Sequence, residues 1–316
     1  MSDGVGGAGP TLTFGEARVT PVVELTMPTS VRWLLPEHPD AARLRDQAGA
    51  WLRPDLMNER GHLLQTMQSF VVQVDGLTVV VDTGIGNDKD RPGAAPDWHR
   101  RDGPFLDDFR AAGFDPERVD FVVCTHMHVD HVGWNTRLVD GAWTPTFPAA
   151  RYIFARTEYD YWLAESQHDA GAADAPPDGI PAHGAAFDDS VAPIVAAGLA
   201  DLVDDEHQLS ASLGLTSSAG HTPGHVTVEI RSGGARALLI GDAMHSPIQC
   251  AAPDSRPALD TPEFAQAARD RRRAILADVA ETDTVVAGSH FPPPGFGRVL
   301  RDGDAYRFEP VGGRQA

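Results

Sequence analysis

Cysteine is nearly absent: Cys124 and Cys250 are the only 2 in 316 residues, too few for a disulfide framework and without C-x-x-C spacing. Basic residues are also scarce, with 26 Lys and Arg against 45 Asp and Glu and a formal charge of −19. A phosphate-backbone partner is held by clustered Lys and Arg, so this balance argues against nucleic acid. It argues equally against an anionic membrane surface. No run approaches the ~20 apolar residues of a membrane span. The opening MSDGVGGAGP has neither a basic start nor an apolar core, so no secretory signal is expected. Together these absences predict a soluble, cytoplasmic globular protein, long enough to bury a sizeable core.

What is present is a series of short apolar runs separated by turn signals. Leu63 to Val74 and Leu77 to Val81 are β-rich and flank Asp75-Gly76, the dipeptide that favours a type I′ hairpin. Phe121 to Cys124, Tyr152 to Phe154, Val226 to Ile230, Ala237 to Ile240 and Thr284 to Ala287 have strand length and composition. Phe105 to Ala112 predicts a short helix stopped by Gly113. Thr261-Pro262 predicts an N-cap with proline at the first helical position, after which Phe264, Ala268, Ile275 and Val279 share one face. The Arg271 to Arg273 run on that helix is expected to be a solvated face. Met27 to His62, broken by four prolines, and Ser166 to Asp189, rich in Ala, Pro, Gly and Asp, do not read as core.

The chemistry is concentrated in Thr125-His126-Met127-His128-Val129-Asp130-His131, which begins where an apolar run ends. Imidazole nitrogens and a carboxylate oxygen are ligands that suit zinc and its neighbours. Further candidates stand just beyond other runs: Asp82 after Val79 to Val81, Asp242 after Ala237 to Ile240, and His290 after Thr284 to Ala287. His221 and His225 lie in the Gly/Pro-rich turn Gly220 to His225. Strand ends are where loops converge without disturbing a core. Cys124, within an apolar run, is expected to be an inert core residue. His225 is expected to be structural, and Asp82 to orient a ligand histidine or its loop. His38, His62, His99, His168, His183 and His207 lie in polar contexts and should be solvated.

The order His-x-His-x-Asp-His, Gly-His-Thr-Pro-Gly-His, Gly-Asp and a late His resembles the metallo-β-lactamase-fold hydrolase superfamily, from about Gly76 onward. The Val81-Asp82-Thr83-Gly84 stretch matches it too. Gly241-Asp242-Ala243-Met244-His245, Gly288-Ser289-His290-Phe291-Pro292 and Tyr306-Arg307-Phe308 are similar to the branch with methyl parathion hydrolase and related lactonases. The resemblance implies an α/β fold, a single-domain αββα sandwich, with two divalent metals at one edge between the sheets. His126, His128 and His221 would hold one, Asp130, His131 and His290 the other, and Asp242 would bridge them. Zinc comes first, with manganese, cobalt or iron as alternatives. The metals would share a hydroxide whose pKa falls to about 7, ready to attack a carbonyl or phosphoryl centre. Residues 63–316 would form the catalytic unit, with a flexible insertion near 166–189. Residues 1–62 would be an N-terminal strand and extension that packs on the core or forms a lid or a homodimer contact.

Asp242, Asp130 and His245 are the expected catalytic residues. His245 stands where many homoserine-lactone lactonases carry a tyrosine thought to assist the carbonyl oxygen, so a contact with substrate or leaving group is expected. Trp134, Phe291 and Phe296 hint at an apolar pocket, whereas Tyr159, Tyr161 and Trp162 suggest helix packing. The expected substrate is a small neutral lactone, aryl ester or organophosphate triester. Thioester hydrolysis, β-lactam hydrolysis and a non-catalytic metal-binding sensor are the alternatives.

Overall fold

Successive residues of a strand face opposite ways, and in this protein both directions are apolar, so each strand can be covered on two sides. The computed structural model describes residues 6–91, 97–169, 183–258, 260, 263–293 and 295–312. The first half runs β1 (Gly7–Ala8), β2 (Leu12–Phe14), β3 (Ala17–Thr29), α1 (Val31–Leu34), α2 (Ala41–Leu52), β4 (Leu63–Val74), β5 (Leu77–Val81), α3 (Phe105–Ala111), β6 (Phe121–Val123), β7 (Thr136–Val139), β8 (Ala142–Pro145) and β9 (Arg151–Ala155). Then come α4 (Arg156–Asp169), α5 (His183–Ala186), α6 (Ala192–Ala196), β10 (Ala200–Val203), β11 (His207–Gln208), β12 (Leu213–Ser217), β13 (Val226–Ser232), β14 (Ala235–Leu239), α7 (Ala265–Val279), β15 (Val285–Ala287), β16 (Phe296–Asp302) and β17 (Ala305–Pro310).

Among the described residues an eight-stranded sheet has the order β1-β3-β4-β5-β6-β9-β10, with β2 also on β3. A seven-stranded sheet runs from β11 to β17 in sequence order. β5, β6, β9 and β10 are parallel neighbours, as are β14 and β15. Alternation sorts the side chains into layers. Phe70, Val72, Val79, Val81, Val123 and Ile153 of the first sheet meet Val226, Val228, Ile230, Ala237, Leu239 and Phe296 of the second. The intervening residues point outward. Val71, Val80, Val122, Tyr152 and Phe154 pack with Phe105 and Phe109 of α3 and Trp162 of α4. Leu238, Val286 and Val299 pack with Leu44 and Leu52 of α2 and Ile275, Leu276 and Val279 of α7. Helix, sheet, sheet, helix: the αββα sandwich follows from period-two patterning on four faces.

The hairpin at Asp75-Gly76 has both residues at positive φ, 54° and 79°, as a type I′ turn requires. Several expectations need correction. Met27 to His62 is not outside the core: Val31, Leu34, Leu35, Leu44, Leu52, Leu56 and Met57 all lie in it, because two helices bring their apolar faces to the second sheet. Arg272 is not solvated. It is fully buried and donates to the carbonyl oxygens of Ala243, Pro253 and Ser255 and to Asp260. The three aromatics are core residues. Trp134 stacks on Phe105 at 5.3 Å, Phe291 packs edge-on against Phe308, and Phe296 packs against Phe14 and Phe70. The Thr261-Pro262 cap and residues 170–182 of the insertion lie outside the described residues, but the end of the insertion does enter the core, with Ala186 and Phe187 buried beside Val191 and Ile194 just after it. His62 and His99 are exposed and His38 and His207 half-buried, while the side chains of His168 and His183 are outside the description.

One buried polar knot secures the loop after β5. Lys89 Nζ donates to Thr136 Oγ1 at 2.6 Å, lies 3.4 Å from Asp189 and sits 3.7 Å over the Trp143 ring. Arg91 grips the same Asp189 in bidentate fashion at 2.7 and 2.8 Å. Burial lowers the Lys89 pKa from 10.5 to about 7, with Asp189 opposing the fall. Between these two values the unfolded chain holds the proton and the folded chain does not, so stability rises with pH across that window. Below it the full cost of burying the charge remains. Chemical denaturation at pH 7 and 9 should show Lys89→Met lacking a rise of about 2 kcal/mol that the native chain has; equal slopes would remove the assignment.

Candidate metal centre

The site forms where parallel strands end. β5 delivers Asp82, β6 opens into the His126 to His131 loop, β14 delivers Asp242, β15 is followed by His290, and the β12–β13 turn brings His221. Ligand atoms of His126, His128, His221 and Asp242 gather within 4.8 Å of one another, as do those of Asp130, His131 and His290. His128 Nδ1 and His221 Nε2 are 2.9 Å apart. Asp242 stands between the groups. One oxygen is 3.8 Å from His126 Nε2, 3.6 Å from His221 Nε2 and 3.1 Å from His290 Nε2, and the other is 3.3 Å from His131 Nε2. Asp130 is 3.8 Å from His131 and 3.5 Å from His290. All seven residues singled out in the sequence are thus neighbours.

The far ring nitrogens are spent on the scaffold, which fixes tautomers. The hydrogen-bond network has His131 Nδ1 donating to Asp82 at 2.8 Å, His221 Nδ1 to Asp260 at 2.9 Å and His290 Nδ1 to the Thr66 carbonyl at 3.0 Å. His126 Nδ1 donates to Thr125 Oγ1 at 3.1 Å, and that hydroxyl donates to Asp82. Asp82 also accepts from the Thr125 amide and the Ser289 hydroxyl at 2.8 Å each, so one buried carboxylate ties three strand ends together. Inward, His221 Nε2 meets His128 Nδ1 at 2.9 Å and His290 Nε2 meets Asp242 at 3.1 Å, while other inward atoms have no partner. Among the described residues His126 Nε2, His131 Nε2 and Asp242 Oδ1 are buried without a hydrogen-bond partner. Lone pairs aimed at one another from 3 to 4 Å leave room for cations, and the donor set of imidazole and carboxylate fits divalent metals. The cluster draws positive charge to Asp242: burial opposes charge on His131 and His290, but Asp242 raises both pKa values. Burial opposes the charge on Asp242, but the His131, His290 and His245 imidazoles hold its pKa well below the carboxylate range. Burial, with His131 and His128 alongside, drives His126 well below its ordinary value.

His225 has no lone pair left for a metal. Its Nε2 accepts from the Asp242 amide at 3.0 Å and its Nδ1 donates to Ser218 at 2.7 Å. It aims Asp242 by holding its backbone, and burial takes its pKa to about 3. Cys124 is buried, which pushes its thiol up and leaves it inert. His245 is different. It is fully buried, its Nε2 lies 3.3 Å from Asp242, and neither ring nitrogen has a hydrogen-bond partner among the described residues. Its ring stacks on His290 at 5.8 Å, and its backbone is held by Gln65 and Gln249.

A model of the metallo-beta-lactamase superfamily matches residues 67–290, which span both sheets and both ligand groups. The chain belongs to this superfamily. A 56-residue stretch is 41% identical to N-acyl homoserine lactonase AttM of Agrobacterium fabrum, though the match spans 18% of this chain and 18% of that protein. The hydrolase AbOPH of the beta lactamase superfamily is similar in fold, with TM-score 0.78 and 22% identity over 98% of this chain and 99% of that one. AidC, a dizinc quorum-quenching lactonase, has TM-score 0.75 and 19% identity over 99% of this chain and all (100%) of that one. At these identities the structural likeness is one of fold.

Three buried acids escaped the sequence reading. Glu24 sits at the bulge in β3 and accepts from the amides of Ile85 and Gly86 and from Trp134, shaping the loop after Asp82. Gly84 is required there, since a Cβ would lie 2.2 Å from Glu24 Oε2. Glu158 accepts from the amides of Met127 and Gly224. Asp260 is shared between His221 and Arg272. No spacing marks Asp260; an acid set among Tyr159, Tyr161 and Trp162 was the available hint for Glu158. Removing one partner of a buried ion pair strands the other, at about 3–5 kcal/mol. Asp260→Ala should therefore lower unfolding free energy by about that much, measured in urea; a loss under about 1 kcal/mol would mean that Arg272 is satisfied by its carbonyl partners alone.

Proposed function

We propose that this member of the metallo-beta-lactamase superfamily is a dinuclear hydrolase of small neutral lactones, with aryl esters and organophosphate triesters as lesser substrates. The observation that carries the reading is the convergence of two ligand groups on the Asp242 carboxylate. His126, His128 and His221 would hold one divalent ion, Asp130, His131 and His290 the second, and Asp242 both, zinc being the preferred metal. When bound, such a pair supplies Lewis acidity and lets a water act as a nucleophile at neutral pH.

The chain's own residues do the rest. Asp130, 11% exposed, is the most open of the ligands. Its carboxylate takes the proton that the attacking water loses and passes it to the leaving oxygen. His245, held neutral by burial, carries one N–H into the site. That N–H donates to the oxygen on which charge develops, the task a tyrosine performs in the resembled lactonases. The formal charge of −19 repels polyanions and favours an uncharged substrate. The lactone preference is supported by the short match to a homoserine lactonase and by the fold shared with a dizinc lactonase. Of residues 1–62, β1 to β3 extend the first sheet and α1 and α2 pack on the second, so a lid or homodimer contact would use only their exposed outer faces.

A panel of homoserine lactones, aryl esters, phosphotriesters, thioesters and β-lactams, run on zinc-loaded protein, tests the reading. Lactones should turn over fastest, a strong chelator should abolish turnover, and zinc, cobalt or manganese should restore it. Asp242→Ala should abolish turnover of every substrate, and His245→Ala should lower kcat by about 10²- to 10³-fold with little change in KM. Thioester or β-lactam preference would reassign the substrate. No turnover of any compound by protein with two ions bound would favour a sensor.

A further inference from the structure

We infer that Glu158 is a positioning residue that sets the gap between the two loops carrying His128 and His221, and so governs the affinity of one metal position selectively. The inference rests on the metal-centre reading above. Glu158 is the third residue of α4 and is fully buried. One carboxylate oxygen accepts from the amide of Met127, which lies between His126 and His128, at 3.0 Å. The other accepts from the amide of Gly224, three residues beyond His221, at 3.0 Å. These two loops are far apart in sequence and belong to different sheets, and a single carboxylate spans them.

Two further observations point the same way. The turn presses so closely on α4 that a Cβ at Gly224 would lie 2.1 Å from the Glu158 backbone nitrogen. Trp162, one turn along α4, donates Nε1–H to Glu158 at 2.7 Å and sets its ring edge-on to His128 at 5.3 Å. Glu158 and Trp162 thus frame the pair whose facing nitrogens are 2.9 Å apart. The other ligand group is held otherwise, His131 by Asp82 and His290 by the Thr66 carbonyl. Loss of the α4 clamp should therefore loosen the His126/His128/His221/Asp242 position and leave the Asp130/His131/His290 position in place. Glutamine at 158 keeps the shape but turns an NH₂ toward one of the two amides, so one loop is released.

Zinc-loaded protein dialysed against graded free-zinc buffers, with bound metal read by elemental analysis, tests this without reference to turnover. The wild type should hold two ions. Glu158→Gln should release one of them at about 10- to 100-fold higher free zinc, the range for loss of a group that orients a ligand. In a His221→Ala background the substitution should add nothing, and in a His290→Ala background it should weaken the remaining ion. Trp162→Phe keeps the ring beside His128 and removes the N–H, so it should shift the same ion by less; it serves where Glu158→Gln does not fold. Equal weakening of both ions, or a wild-type profile in either variant, overturns the inference alone. A wild-type protein that binds no zinc overturns the metal-centre reading and the inference with it.

Discussion

A carboxylate buried among imidazoles is the constraint around which this molecule is organised. Asp242 has almost no contact with solvent, and its oxygens face the inward nitrogens of His126, His131, His221, His245 and His290. An ionised group cannot be taken out of water unless something compensates its charge. Here the compensating side chains have mostly committed their protons outward, to Asp82, Asp260, Thr125 and the Thr66 carbonyl. The interior is therefore a ring of imidazoles about a negative centre: burial opposes charge on His131 and His290, but Asp242 raises both pKa values, so the site draws positive charge to itself.

Holding that ring open costs conformational freedom at many points, and the sandwich supplies rigidity at each of them. Parallel strands end at one edge, so short loops leave the sheets with little slack. Buried acids then fix the loops to one another: Glu24 the one after β5, Asp82 three strand ends, Asp260 the His221 ring and Arg272. Each is satisfied by several donors, which is the condition under which a buried polar network specifies geometry instead of destabilising it.

The fold was legible to the extent that it depends on local pattern. The β4–β5 hairpin appears at the expected residues because Asp75-Gly76 admits positive φ on both positions. The short Val-rich runs became strands within a residue or two. What escaped was long-range. Prolines between Met27 and His62 obscured two helices whose apolar faces have meaning only against the second sheet. Arg272 looked like its neighbours in an Arg run, yet α7 turns it toward three carbonyl oxygens and Asp260. Trp134, Phe291 and Phe296 stood near ligands in the chain and went to the core, since adjacency along a strand end says nothing about which layer a ring enters.

By itself, the amino-acid order determined the chemistry available: imidazoles and carboxylates at unusual density, each just past an apolar run, in a chain too acidic for polyanions. Those are properties of residue type and of neighbours a few positions away. Only the tertiary structure decided which of them meet, which nitrogen of each ring faces inward, and which acids outside the motifs hold them there. The reason is that such decisions depend on contacts across hundreds of residues, as when Thr66 meets His290 and Met127 meets Glu158 and Gly224. Distances of that kind are set by how two sheets and their helices close on a shared core.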